Sequence, residues 1–197
     1  MGRPRAYDAS AVVEAARDLF WERGYELSSV GELEERTGLN RSSLYHAFGS
    51  KRGLFGAALR SYIEQETEPT LSGMRQPGAG LEAVSGFFEA RAQAFRRDPE
   101  RAARGCLMIN TIAELGARDR LVAQAAAAHR ERLQEAFAAA LSRAAKRGEL
   151  DAGQVAPRAS LLVSAAMGVF LTAKTDPGAA AETCEAIAAD VKSWRRT

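Results

Sequence analysis

Thr37-Gly38-Leu39-Asn40, running on into Arg41-Ser42-Ser43-Leu44-Tyr45-His46-Ala47-Phe48-Gly49-Ser50-Lys51, sets the architecture of this chain. A turn as tight as Thr37 to Asn40 needs a residue that tolerates positive φ, and Gly38 supplies it. Asn40 is a good N-cap for a short helix carrying Leu44 and Phe48 on one face. Gly49 ends that helix, and Ser50 caps a longer one reaching about Thr67. On the other side of the turn, Ser29-Val30-Gly31-Glu32 fits a capping box that opens a helix closed by Gly38. Gly31 weakens its first turn. A still earlier helix runs from about Ser10 to Arg23, with Val13, Ala16 and Phe20 on one face, Val12 and Leu19 beside them, and Gly24 as its stop. Val30, Leu33, Leu39, Leu44 and Phe48 clamp the two short helices at a fixed angle, backed by Leu19 and Phe20. This is the pattern of a helix-turn-helix.

Past this unit, helix signals dominate and alternating β-branched runs are missing. Pro69, Gly73, Pro77, Gly78 and Gly80 give the stretch from Pro69 to Gly80 a loop composition. Further helices are expected near 81–97, 101–116, 119–147, 157–175 and 177–194. Their breaks fall at Asp98-Pro99, Gly116, Gly148, Gly153 and Asp176-Pro177. The expected fold is therefore all-α: an N-terminal three-helix helix-turn-helix domain over 1–56 and a larger helical domain over 57–197.

With 197 residues, 46% of them hydrophobic and 26% charged, the chain reads as an ordinary soluble globular protein. Cys106 and Cys184 are too few for a disulfide framework and lack metal-ligand spacing, which suits a reducing cytoplasm. No apolar core follows Met1-Gly2-Arg3-Pro4-Arg5, so no signal peptide is expected. The uncharged stretch from Ala159 to Ala173 is shorter than the ~20 residues that span a bilayer, so no membrane association is expected. There is no phosphate-cradling glycine loop, nucleophile elbow or paired-histidine helix, so neither an enzyme nor a cofactor is expected. Gly49-Ser50-Lys51 is no P-loop, because it follows a helix and lacks the preceding glycine.

A net charge of +2 neither supports nor excludes nucleic acid, but the charge distribution is informative. From Asn40 to Arg60 there are four basic residues, Arg41, Lys51, Arg52 and Arg60, and no acidic one. The preceding helices carry Asp18, Glu22, Glu26, Glu32, Glu34 and Glu35. A basic, hydroxyl-rich face beside an acidic scaffold suits insertion into a DNA groove. Arg41, Ser42, Ser43, Tyr45 and His46 are the groups that can reach base edges and phosphates. Ser29, Asn40 and Lys51 stand at helix N-termini, where free amides hold phosphate. Arg52 and Arg60 read as solvated charge, and Arg3 with Arg5 as a basic arm for an adjacent backbone or minor groove.

Residues 10–60, with Leu19-Phe20-Trp21-Glu22-Arg23-Gly24-Tyr25, the Thr37 to Lys51 stretch and Leu54-Phe55, resemble the TetR family of regulators. That resemblance implies that the second helix of the motif enters the major groove. It makes Tyr45 and Lys51 phosphate contacts, and Arg41 to Ser43 base readers. It further implies repression by occluding a promoter, relieved when a ligand enters the C-terminal domain. The sequence itself fixes no sign of regulation, repressor or activator. Three departures stand out, one of them Gly31 in the first turn of the second helix. Ala47 replaces a larger residue, and Gly53 replaces an acidic one that closes the Ser50 capping box, which implies a loosely started fourth helix.

The larger domain offers material for a small-molecule site. Phe87, Phe88, Phe95, Phe137, Met167 and Phe170 are candidates for an apolar pocket, together with Met108, Asn110 and Ala113 from the helix near 107–115. Asn110, Thr111 and Glu114 either face solvent or supply polar groups to that pocket. Cys106 and Cys184 are read as small buried hydrophobes, and His129 has no metal-ligand partner at useful spacing. Two apolar stripes suggest a homodimer that reads a palindromic operator. One comprises Leu161, Leu162, Val163, Met167, Val169, Phe170 and Leu171; the other comprises Ala181, Cys184, Ala188 and Val191, with Ile187 and Trp194 beside it. The expected partners are thus double-stranded operator DNA, a second copy of the chain, and an unidentified small-molecule effector.

Overall fold

The computed structural model describes residues 7–195, so the proposed Arg3 and Arg5 arm lies outside the described residues. No strand occurs among them. The three N-terminal helices are α1 (Ala9–Arg23), α2 (Val30–Thr37) and α3 (Arg41–Phe48). Each begins where a side chain takes up free amides. Asp8 caps α1, Ser29 and Glu32 form the complete capping box of α2, and the Asn40 side chain accepts from Ser43 N–H to start α3. Gly38 closes α2 in the left-handed conformation (φ 68°), which an L side chain adopts only with strain. Val12, Ala16, Leu19, Phe20, Leu33, Leu44, Leu54 and Phe55 form the core beneath these helices.

Helix α4 (Lys51–Tyr62) departs from expectation at its far end. Instead of stopping at a loop, the chain widens into one π turn (Ile63–Thr67) and continues as α5 (Glu68–Arg75). Pro69 lacks an N–H and presses on the carbonyl one turn back, and the widened turn makes room for its ring. The loop read for the stretch from Pro69 to Gly80 therefore shrinks to the few residues after Arg75.

Helix α6 (Leu81–Arg97) matches expectation, whereas the single helix read near 101–116 is broken. Gly105 takes φ 68° and separates α7 (Pro99–Ala103) from α8 (Leu107–Glu114). Helices α9 (Arg120–Lys146), α10 (Val155–Ala173) and α11 (Pro177–Ser193) complete the domain. Their core is aromatic and tightly filled. Phe88 and Phe137 stack at 5.9 Å between ring centroids, with Phe87 edge-on to both.

Two features alter the expected assembly. Ala181, Cys184, Ala188 and Val191 are buried inside this chain, where α11 packs along α6. That stripe is not free to meet a partner. Leu161 and Leu171 on α10 are 61% and 58% exposed, so the unspent apolar surface lies there. By length and composition alone, the segment Ala152–Ala173 could cross a membrane, but one face of it packs in the domain core. The N-terminal core also runs past the boundary placed at residue 56, which falls inside α4. It includes Leu59, Tyr62 and Ile63, and, from across the interface, Cys106, Leu107, Met108 and Val122.

Candidate nucleic-acid interface and effector cavity

Helix α3 is held by its inner face alone. Leu44 is buried, Ser43, Tyr45 and Phe48 are half-buried, and Arg41, Ser42, His46 and Ala47 are exposed. The scaffold beneath it is fixed by acidic residues. Glu34 accepts the Arg41 backbone N–H at 2.6 Å, while Arg23 pairs with Glu32 and Arg36 with Glu22. Arg41 and Lys51, by contrast, have no carboxylate within ion-pair distance among the described residues. The Arg41 guanidinium lies 5.2 Å from the Tyr45 ring centroid. Lys51 Nζ sits 4.4 Å from the Tyr25 ring centroid and 3.5 Å from the Glu26 carbonyl oxygen. The structure thus brings Asn40, Arg41, Ser42, Ser43, Tyr45 and His46 onto one short helix and its cap, with Lys51 at the start of the next. Ser29 is exposed at the head of α2, but its hydroxyl is engaged with Glu32.

Gly53 does not loosen α4. Ser50 Oγ accepts the Gly53 N–H at 3.1 Å, and a Cβ at Gly53 would overlap the Phe48 carbonyl. The missing acidic residue is thus the condition for a close α3–α4 approach.

Several contacts tie this unit to the larger domain, three of them through side chains at its edge. Glu114, at the end of α8, accepts the backbone N–H groups of Tyr25 at 2.9 Å and Glu26 at 2.8 Å. Arg52 forms a two-pronged ion pair with Asp119, the N-cap of α9. Trp21 Nε1 donates to the carbonyls of Arg104 and Gly105, each at 3.2 Å. The solvated role read for Arg52 is replaced by this bridge, and Glu114 neither faces solvent freely nor enters a pocket.

A cavity of about 100 Å³ lies beside the last of these contacts, with Trp21 in its wall. Of the sequence candidates, Phe87, Phe95, Met167 and Phe170 line it. The other candidates lie elsewhere. Phe88 and Phe137 are fully buried in the aromatic stack, Met108 in the N-terminal core, and Ala113 is exposed on α8. Asn110 donates to the Arg104 carbonyl at 2.8 Å and accepts from Lys174 at 2.9 Å. The cavity wall instead includes Trp21 of α1, Tyr62 of α4, Arg91 of α6, Cys106 and His129. Burial pushes the Cys106 thiol up, and that of Cys184 up to about 12, so neither offers a thiolate near neutral pH. Burial also pulls His129 down to about 4, which leaves a neutral imidazole whose Nδ1 has no hydrogen-bond partner.

Comparison with known proteins agrees with this layout. Residues 12–58 match the family described as bacterial regulatory proteins, tetR family, and residues 80–187 match a tetracyclin repressor-like C-terminal domain. The chain is 36% identical over 151 residues to YezE of Bacillus subtilis, an uncharacterized HTH-type transcriptional regulator, covering 77% of each protein. To the HTH-type transcriptional repressor ComR of Escherichia coli it is 36% identical over 115 residues, 58% of this chain and 54% of that one. Among solved structures, a cysteine mutant of the TetR family regulator CifR, complexed with 26-base-pair operator DNA, superposes with a TM-score of 0.81. It is 28% identical, covering 99% of this chain and all of the other.

Proposed function

Because this chain belongs to the TetR family and is a helix-turn-helix DNA-binding transcriptional regulator, we propose that it acts as a cytoplasmic homodimeric repressor whose operator is released when a small molecule enters the cavity between its domains. The observation that carries the DNA contact is the outer face of α3. Arg41, Ser42 and His46 stand clear of the fold, while Lys51 remains an uncompensated cation beside them. Exposed donors on a helix can read base edges, and an ammonium at a helix N-terminus holds phosphate. Ser43 and Tyr45 complete the surface, with Asn40 and Ser29 at its edges.

Release by a ligand is supported by the cavity wall. Trp21 and Tyr62 belong to the core of the DNA-binding unit, and their rings meet edge to face at 5.1 Å. A ligand that pushes on them acts on α1 and α4 directly, and it favours the released state by as much as it prefers that state. We place the partner copy on α10, where Leu161 and Leu171 are largely exposed among the described residues. A two-fold pair of such subunits sets two copies of α3 toward successive major grooves of a palindromic site.

A mobility-shift titration against the DNA flanking the chain's own coding region tests the reading. Specific binding is expected in the range of about 10⁻⁸ to 10⁻¹¹ M, at least about 10³-fold tighter than to unrelated DNA. Equal affinity for both DNAs overturns it.

A further inference from the structure

Arg91 is a cation that a purely apolar effector site has no use for. It projects from α6 into the cavity wall, partly buried, with its Nε shielded from solvent and lacking any hydrogen-bond partner. Among the described residues no carboxylate lies within ion-pair distance of it. The acidic groups on the same wall are already engaged. Both oxygens of Glu66 accept from Arg101, at 3.0 and 2.9 Å, and Asp98 accepts the Arg101 backbone N–H at 2.9 Å as the cap of α7. The Phe87 ring has its centroid 5.9 Å from the guanidinium carbon, a cation–π contact at the outer edge of its range that carries no neutralising charge. Burying a cation without an anion is unfavourable, and burial lowers the Arg91 pKa below the usual guanidinium range.

The rest of the lining narrows what could answer that charge. His129 is neutral near physiological pH, with its Nδ1 free to make one hydrogen bond. Phe95, Leu133, Met167 and Phe170 give the lining an apolar side, opposite polar groups that include Thr67, Thr70 and the paired Glu66 and Arg101. A cationic ligand would meet Arg91 with like charge, and a neutral one would leave it unpaired. A dianion would bring a second charge, and the other cation on the wall, Arg101, is already taken up by Glu66. The size is limited too, since a cavity of about 150 Å³ takes up benzene and this one is about 100 Å³.

We propose that the cavity binds a small monocarboxylate, one branched short chain in size, with its carboxylate on Arg91 and its apolar body against Phe95, Met167 and Phe170. The proposal rests on reading this cavity as the effector site. Trp21 and Glu66 share the wall with Arg91, so the occupant touches both α1 and the π turn that separates α4 from α5.

Titration of the full chain with isobutyrate, isovalerate and pivalate, followed by calorimetry and thermal shift, tests it. Each acid is compared with its uncharged amide. At least one acid is expected to bind below about 1 mM, and about 10-fold or more tighter than its amide, as a charge-assisted hydrogen bond requires. Arg91→Met is expected to abolish the preference for the acid while keeping operator binding, and Arg91→Lys to retain part of it. The acid-against-amide comparison in the unaltered protein stands even if a variant fails to fold. Amides that bind as tightly as acids, acids that bind Arg91→Met undiminished, or no acid binding below about 1 mM each overturn the proposal. Acid binding through Arg91 that leaves operator affinity unchanged upholds the site and overturns effector-controlled release. Release by an amide and not by its acid does the reverse.

Discussion

Arg52, in the first turn of α4, grips both carboxylate oxygens of Asp119, which at the same time caps α9 by accepting the Val122 N–H at 3.1 Å. One carboxylate therefore starts the longest helix of the regulatory domain and holds the helix that carries Lys51. Glu114 does related work a few residues earlier. By holding the backbone of Tyr25 and Glu26, it fixes the ring and the carbonyl on which Lys51 rests. The edge that carries the proposed phosphate contact Lys51 is thus positioned from the larger domain, which on that proposal gives a displaced domain a direct route to the DNA grip.

The two roles of Asp119 separate by substitution. Asp119→Asn removes the charge and keeps a good N-cap, whereas Asp119→Ala removes both. The alanine variant is expected to be less stable than the asparagine variant by about 1 kcal/mol, the worth of a cap. Arg52 holds the Asp119 carboxyl down at about 2. A carboxyl lowered in the folded state stabilises the fold above its unfolded value and loses that contribution as pH falls through its folded one. The gap in melting temperature between the unaltered protein and Asp119→Asn should be full at pH 6 and close between about pH 4 and 2. A gap that persists unchanged at the acid end removes the ion pair from the account.

Lys51 and Arg41 should fail in different ways. Lys51→Ala is expected to weaken binding to all DNA sequences alike and to flatten the plot of log affinity against log salt by about one unit. Arg41→Ala is expected to relax preference at defined bases by about 1–3 kcal/mol across a randomised operator library. A uniform loss for Arg41→Ala would make it another backbone contact, and an unchanged salt slope would take Lys51 out of the interface.

The elements that were legible in the sequence are those whose causes are local. Ser29 with Glu32, Asn40 with Ser43, and the left-handed Gly38 all act within three or four residues, so the helix-turn-helix could be read directly. Arg52 looked like solvated charge because its partner lies 67 residues away. Arg91 and His129 gave no signal, since nothing near them in the chain tells that both end on one cavity wall. The α11 stripe was visible as apolar, but periodicity cannot say whether α6 or a second copy covers it. Pro69 was misread for a related reason: the π turn that accommodates it has no residue signature of its own.

Gly53→Ala probes the α3–α4 junction. Elsewhere in a helix such a change is favourable by about 1 kcal/mol. Here the new methyl group meets the Phe48 carbonyl, a backbone atom that cannot swing aside. The variant is expected to lose stability, not gain it, and to bind operator more weakly because α3 must tilt. Thermal denaturation alongside a mobility-shift titration checks both, and a stabilised variant with full affinity would mean that the junction tolerates the extra atom.

The proposed dimer surface can be tested apart from the fold because Leu161 and Leu171 are exposed in the single chain. An exposed leucine contributes little to the stability of its own subunit, whereas covering one in an interface is worth about 1.5–3 kcal/mol. Replacing both with glutamate brings like charges face to face across a two-fold axis and leaves the neighbouring core residues Leu162, Val163 and Val169 in place. The double variant Leu161→Glu, Leu171→Glu is expected to keep its helical circular dichroism while sedimenting as a species near 21.2 kDa. Its operator affinity should fall steeply, because a monomer presents one α3 where a palindrome offers two half-sites. A half-site oligonucleotide should be bound equally by the variant and the unaltered protein. If the variant still sediments at twice the chain mass, the partner copy does not sit on α10.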